Sequence, residues 1–257
     1  FAALIMYKNS KTAKETIVLH SGEWDREQKK QYKEEMKRKR RKVLIMVLVL
    51  NFGILIFLKY FNLFAGGMNS FLEKSGMTGP IPILHLALPL GISFYTFQSI
   101  GYLIDVYREK FEPERNPAKY ALFVSFFPQL IQGPISFYDQ LAHQLYAERN
   151  FSYKNLKHGT LLMLWGYFKK MVIADRAVSL IQMVAPDYMQ YNGTVIFITV
   201  LVYALQLYAD FSGGIDISRG FAEILGIEMA ENFCRPYFAV SINDYWRRWH
   251  ITLGAWM

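Results

Sequence analysis

The sequence predicts an all-α, polytopic transmembrane protein, with broken or re-entrant and interfacial helices around a central cavity. Three observations carry that prediction. Of the 257 residues, 53% are hydrophobic and only 19% charged, an apolar balance above that of soluble domains. The apolar residues fall in long runs with little or no charge, and two of these, Val43–Phe64 and Tyr188–Ala209, read as clear spans of the roughly 20 residues that a bilayer-crossing helix needs. The formal charge of +8 is concentrated, ten of the 29 basic residues lying between Arg26 and Lys42. A basic segment beside an apolar run, with no aromatic-rich basic platform, marks a juxtamembrane stretch and argues against nucleic acid as a partner.

Taken in order, Phe1–Tyr7 reads as the end of a severed apolar helix. The C-terminus likewise cuts a periodic pattern, so the chain is expected to be a fragment of a longer protein, with no signal peptide in view. Residues 1–42 are one region: that helix end, then a polar, increasingly basic stretch from Lys8 to Lys42. It reads as a solvated or headgroup-lying helix, and the positive-inside rule puts residues 26–42 in the cytoplasm. It serves as a topological anchor or docks an acidic partner.

Residues 43–257 form the membrane core. Val43–Leu58 is free of charge, and with Lys59 snorkelling the span extends to Phe64. Gly66-Gly67 then reads as a turn. Ser75–Ile104 carries no Asp, Glu, Lys or Arg but contains Pro80, Pro82 and Pro89 and the glycines Gly76, Gly79, Gly91 and Gly101. A loop followed by a broken or re-entrant helix fits such a run. Irregular backbone at membrane depth must be buried in protein or line a cavity. Asp105–Lys119 is a polar loop. Tyr120–Tyr138 is again uncharged but interrupted by Phe126-Phe-Pro-Gln-Leu-Ile-Gln-Gly-Pro134. Its amides, Gln129 among them, need partners; the block is an interfacial helix–turn–helix or part of a pocket wall.

His158–Ala174 and Ala177–Ala185 are shorter apolar stretches, and Tyr188–Ala209 is uncharged for 22 residues, the second clear span. It is expected to end in Asp210-Phe-Ser-Gly-Gly-Ile-Asp-Ile-Ser-Arg219. An ionisable group near membrane depth is a functional candidate, and pairing with Arg219 is an equally simple account of Asp210. The last seventeen residues begin with Ser241 and Asp244 in a capping-box-like pattern, placing a helix from Ile242 onward. At helical spacing Trp246, Trp249, His250, Leu253 and Met257 share one face, with Arg247, Arg248 and Ile251 on the other. Cys234, the lone cysteine, is expected to be a small buried apolar side chain. His20, His85, His143 and His158 lack a comparable context and are read as structural. No metal-ligand spacing, phosphate-cradling glycine loop or Gly-x-Ser-x-Gly nucleophile is present, so metal and covalent-serine mechanisms are unsupported.

Tyr245-Trp-Arg-Arg-Trp-His-Ile-Thr-Leu253 with Trp256 resembles the signature of membrane-bound O-acyltransferases. Gly91-Ile-Ser-Phe-Tyr-Thr-Phe-Gln98 continuing to Asp105-Val-Tyr-Arg108, Phe126–Pro134, and Tyr208-Ala-Asp-Phe-Ser-Gly213 resemble blocks of its bacterial branch, which includes the alginate O-acetylation and teichoic acid D-alanylation transferases. The last two blocks look most like the alginate type. Gly254 departs from the pattern, where the family often has Ser or Thr. The resemblance covers roughly Val43–Met257 and implies the N-terminal portion of the family's membrane core, truncated before a second, main catalytic histidine beyond Met257. It also implies a bacterial inner-membrane enzyme with a tunnel through the bilayer. His250 would assist catalysis. Trp246, Arg247, Arg248, Trp249, Asp210 and Gln129 are the substrate or tunnel candidates, although the two arginines could instead anchor the helix at headgroups. The implied donor is a cytoplasmic acyl thioester, acetyl-CoA or an acylated carrier protein, with no tightly bound cofactor. The acceptor is a hydroxyl of an extracytoplasmic polysaccharide or cell-wall polymer, reached together with polysaccharide-modifying partner proteins. A transporter or flippase, or a non-enzymatic membrane scaffold, would share the broken helices without needing the Trp-Arg-Arg-Trp-His string.

Overall fold

The computed structural model describes residues 1–76, 81–84, 89–130 and 132–257. These form two compact units, Phe1–Val124 and Ser125–Met257. The described residues are helical with no extended strand pairing beyond an isolated bridge between Phe233 and Trp249.

In the first unit α1 (Ala2–Leu19) and α2 (Arg26–Lys74) are joined by a tight turn. Asp25 caps α2, its carboxylate accepting from the Arg26 amide at 2.6 Å, while the Gln28 side chain accepts from the Asp25 amide at 3.0 Å. The basic segment and the charge-free run are therefore one continuous helix of 49 residues. Gly66-Gly67 is not a turn but lies within α2. A glycine costs a helix only about 1 kcal/mol, too little to end one with apolar residues on both sides.

Beyond α2, the extended residues 81–84 are clasped by two asparagines of that helix. Asn69 donates to the Ile81 carbonyl at 2.9 Å and accepts from its amide at 2.7 Å; Asn62 does the same for Leu84 at 2.7 and 2.9 Å. Both amides thus replace the ladder that irregular backbone lacks, which is the requirement such backbone meets away from water. Gly91, at φ +77°, starts α3 (Ile92–Tyr107). The helix consumes the first residues of the expected Asp105–Lys119 loop, and α4 (Pro117–Val124) its last. Gly79, Pro80 and His85 lie outside the described residues.

In the second unit the expected interruption of Tyr120–Tyr138 is present: a single 3₁₀ turn at Phe127–Gln129, and irregular backbone over residues 132–137 before α5 (Tyr138–Tyr146). α6 (Tyr153–Tyr167) passes through a π-helical segment, Phe168–Ala174, into α7 (Asp175–Val184). α8 (Gly193–Ile224) is 32 residues long and runs straight through Asp210-Phe-Ser-Gly-Gly rather than ending there. It closes on Gly226 (φ +76°), whose amide reaches Glu223 O at 2.8 Å while Ile227 N reaches Ala222 O at 2.9 Å, the paired bonds of a Schellman end.

α6 and α8 cross through glycines. Gly159 meets Gly220 and Gly166 meets Gly213, each pair seven residues along its helix in opposite senses. A Cβ on Gly166 would stand 2.6 Å from Gly213 O, and one on Gly213 2.8 Å from Gly166 O. Close backbone approach through small residues is how helices associate where no hydrophobic effect drives them together. Among the described residues two helices, α2 and α8, are long and apolar enough to cross a membrane.

Candidate active site

The terminal segment starts as the sequence predicts. Ser241 is the N-cap, its hydroxyl accepting from the Asp244 amide at 3.1 Å, and α9 begins at Ile242. Asp244 also accepts from the Val240 amide at 3.1 Å and from Arg248 Nε at 2.9 Å. The Arg248 guanidinium, foremost, holds the Asp244 carboxyl below its ordinary range, and Asp244 raises Arg248 in return.

The continuation is different. The predicted single face does not exist, because α9 ends at Arg248 and α10 (Ile251–Trp256) is a separate helix. Between them Trp249 is extended and His250 takes a left-handed conformation (φ 48°, ψ 54°). The cause is non-local. Cys234 N donates to Arg248 O at 3.0 Å and Ile251 N to Asn232 O at 3.1 Å, so residues 232–234 pull this stretch out of the helix. Left-handed backbone is uncommon for a residue with a Cβ, and such strain persists where the surroundings over-determine it, often at functional sites.

Those surroundings are explicit. The Asn232 side-chain carbonyl accepts from both the Thr252 amide at 2.8 Å and its hydroxyl at 2.6 Å. The same hydroxyl accepts from Ile135 N at 3.1 Å. Asn232 is 1% and Thr252 4% exposed, so these bonds are made away from water, where leaving a partner unmade is expensive. They tie the end of the Phe126–Pro134 block to the residue two after His250. Trp249 is buried in an aromatic shell: stacked on Tyr245 (5.7 Å, 14°) and edge-on to Phe233 (4.9 Å), with Tyr208 and Tyr237 at 6.3 and 6.1 Å. The His250 ring meets the Phe211 ring edge-on at 4.9 Å, and its Nδ1 is buried with no hydrogen-bond partner among the described residues. Burial pushes its pKa below the ordinary 6.5, so the imidazole is neutral at neutral pH and keeps a lone pair to accept a proton.

The remaining candidates separate. Gln129 is fully buried in the 3₁₀ turn, and Gln132 of the same block packs its side chain against Gly214 of α8. Phe127 is edge-on to Phe221 at 5.0 Å. The Phe126–Pro134, Tyr208–Gly213 and Tyr245–Leu253 blocks therefore converge in one unit. Trp246, 57% exposed, touches Tyr245 only by its edge, at 5.6 Å. Arg247 is exposed with no ion pair among the described residues, while Arg248 is engaged by Asp244.

Asp210 pairs with Lys170, not with Arg219. Its partner is forty residues upstream, where the π-helical segment lets two consecutive lysines both reach α8. Lys169, 7% exposed, pairs with Asp216 at 2.6 Å and donates to Ser212 Oγ at 3.0 Å. Arg219 instead joins Asp216 (3.8 Å) and Glu231 (3.1 Å) and donates to Met229 O. This chain of ion pairs fixes the loop that delivers Asn232, and Asp210, Asp216 and Arg219 of α8 are each compensated, as buried charge must be. Cys234, expected to be buried, is exposed, although its backbone amide is held by Arg248 O. No cluster of three potential metal ligands occurs among the described residues.

Asn232, Thr252, Lys169 and Phe211 were not singled out from sequence. Thr252, Phe211 and their neighbours sit inside quoted motifs, so a signal existed; Asn232 sits in a loop, eighteen residues before His250, with nothing local to mark it.

A sequence model of the membrane-bound O-acyltransferase family matches residues 113–257. The chain is similar to a probable alginate O-acetylase of Pseudomonas aeruginosa, 36% identical over 83% of this chain and 41% of that protein. It is similar to a peptidoglycan O-acetyltransferase of Helicobacter pylori, 36% identical over 83% of this chain and 45% of that one. A teichoic acid D-alanyltransferase of Bacillus subtilis is 28% identical over 65% of this chain and 43% of its own length. The chain thus spans about two fifths of the length of the curated relatives it matches.

Proposed function

Because the chain belongs to the membrane-bound O-acyltransferase family, we propose that the whole protein moves an acyl group, an acetyl group, onto hydroxyls of an extracytoplasmic polysaccharide or cell-wall polymer. The donor is a cytoplasmic thioester, acetyl-CoA or an acylated carrier protein, and no tightly bound cofactor takes part. The protein is multi-pass in a bacterial inner membrane, with residues 26–42 on the cytoplasmic side and its broken helices around a central cavity. Extracytoplasmic polysaccharide-modifying proteins are its partners.

The observation that supports this most is His250: a neutral imidazole held in left-handed backbone by a buried Asn232–Thr252 clamp, with Nδ1 unspent. Acyl transfer from a thioester needs the acceptor hydroxyl deprotonated as it attacks, and the tetrahedral oxyanion stabilised. In the proposal His250 orients that hydroxyl or relays its proton to a main base, the histidine that the resemblance implies beyond Met257. Trp249 and its aromatic neighbours keep water out. Exposed Arg247 meets the anionic donor or the acceptor, or a lipid headgroup. Gln129 belongs to the wall, and Asp210 to the Lys170 pair that holds α6–α7 on α8.

Transfer of D-alanine to teichoic acid is the second reading, favoured by the 28% match and weighed down by the 36% matches to O-acetylating relatives. The test is to reconstitute the full-length protein in vesicles and supply in turn an acetyl thioester and a D-alanyl carrier protein. Acetyl ester on an added polysaccharide is expected. D-alanyl ester alone would select the second reading, and neither ester, with transport of a substrate instead, would select a transporter.

A further inference from the structure

The first unit holds a groove of about 850 Å³ between α1, α2 and the end of α3, a size typical of small-molecule sites. One wall is a ladder on α2: Arg26, Lys30, Lys33, Lys37 and Arg40 recur every three to four residues and so share a face. Lys14 and Arg108 add to it from α1 and just past α3. The floor is apolar, made by Ala13 and Ile17 of α1 and by Met36, which is buried.

The charge in this groove is not balanced from within. Glu109 is the one carboxylate among the described lining residues, and it is already saturated. It accepts from Ser10 at 2.5 Å, pairs with Lys14 at 2.7 Å, and is also held by Arg40. These partners, Lys14 first, bring its pKa down to about 2. Arg40 further donates to the Tyr107 carbonyl and lies over the Tyr107 ring at 5.2 Å. One end of the groove is therefore built and rigid. Arg26, Lys30, Lys33 and Lys37 make no ion pair among the described residues.

We infer that this groove binds an anionic phospholipid, its phosphodiester on the Lys33–Lys37 side and the start of an acyl chain on the Ala13–Ile17–Met36 floor. Two features select a lipid over a soluble anion. The floor offers apolar surface that inorganic phosphate cannot use. And α2 carries no charge from Val43 to Leu58, so Lys37 lies about 9 Å, six residues at 1.5 Å each, from the start of the apolar run. Headgroup depth is where clustered lysines meet anionic lipid. The inference is independent of acyl transfer, since its readout is bound lipid.

The full-length protein, purified in a mild detergent, would be titrated with phosphatidylglycerol and with phosphatidylcholine, and retained lipid counted by native mass spectrometry. Phosphatidylglycerol should be retained preferentially. Lys30→Gln/Lys33→Gln/Lys37→Gln should weaken it at least about tenfold, each lysine near anionic lipid being worth up to about fivefold. Arg38→Gln/Lys39→Gln/Arg41→Gln removes the same charge from residues outside the groove and should leave retention within about twofold of the parent, a difference no larger than screened surface charge produces. Ile17→Asn should weaken retention without altering charge. Equal losses in the two triple variants would overturn the inference in favour of diffuse attraction. Displacement of the lipid by millimolar inorganic phosphate would overturn it in favour of a soluble-anion site. Unchanged retention in the groove variants would leave the ladder to a protein partner and overturn it as well.

Discussion

Replacing Asn232 by alanine removes the side-chain carbonyl that accepts from the Thr252 amide and hydroxyl at 2.8 and 2.6 Å. Two hydrogen bonds at about 1 kcal/mol each set the lower bound of the loss, and a Thr252 N–H left buried without an acceptor adds about 1–3 kcal/mol. Asn232→Ala should therefore destabilise the second unit by about 3–5 kcal/mol. Thr252→Val keeps the shape but also strips Ile135 N of its acceptor; it should cost about 1–3 kcal/mol. The two residues share a bond, so the double variant should lose less than the sum, by about 1 kcal/mol. Thr252→Ser keeps the hydroxyl and should behave as the parent. The assay is denaturant unfolding of the full-length protein in detergent, paired with acyl transfer per folded molecule. Transfer should fall even where folding is restored by working at low temperature, because His250 loses the neighbour that fixes its left-handed backbone. Strict additivity, or an Asn232→Ala loss under about 0.5 kcal/mol, the scatter of ordinary surface substitutions, would refute the clamp.

Other expectations follow from single contacts. Gly166→Ala, with its Cβ 2.6 Å from Gly213 O, should cost about 1–3 kcal/mol by overpacking, whereas Gly67→Ala, with open space around it, should be neutral or stabilise by up to about 1 kcal/mol; unfolding midpoints distinguish them. Glu109, with a folded pKa of about 2 against an ordinary 4.5, stabilises the first unit above pH 4.5 and loses that contribution as pH falls toward 2. Discounted for its partial exposure, the Glu109→Gln loss at neutral pH should be about 1 kcal/mol and vanish in acid. The exposed Cys234 thiol should react with a maleimide in the folded protein; labelling only after denaturation would contradict its placement. Burial holds His250 below 6.5, so activity that needs the neutral ring should decline only as pH falls through that lower value, and a rise in activity on acidification would count against it.

What sequence could reveal was governed by whether the deciding interaction is local. Val43–Phe64 and Tyr188–Ala209 are apolar in themselves; the first lies within α2, and the second falls in α8 from Gly193 onward, its first residues forming a separate 3₁₀ turn at Tyr188–Gln190. Ser241 bonds to a residue three along, so the start of α9 could be read at once. The break at Trp249–His250 could not: no glycine or proline marks it, and the residues that force it, Asn232 and Cys234, belong to another segment. Asp210 was paired with its near neighbour Arg219 as one option, but the π-helical segment that presents Lys170 has no sequence signature. Gly66-Gly67 misleads for the opposite reason, a strong local cue overridden by the helix on either side. Motif membership located Trp249 and His250 without the geometry that makes the histidine special.

The most direct test of the account substitutes His250 in the full-length protein. His250→Ala and His250→Gln, expressed in a strain lacking the native gene, would be compared with the parent for acyl ester on the surface polymer, with membrane-inserted protein measured alongside. A positioned proton-transfer group contributes about 10²–10⁴-fold, so ester content should fall to background while the protein accumulates normally. Parental ester levels in both variants would contradict the assignment of His250 to the chemistry.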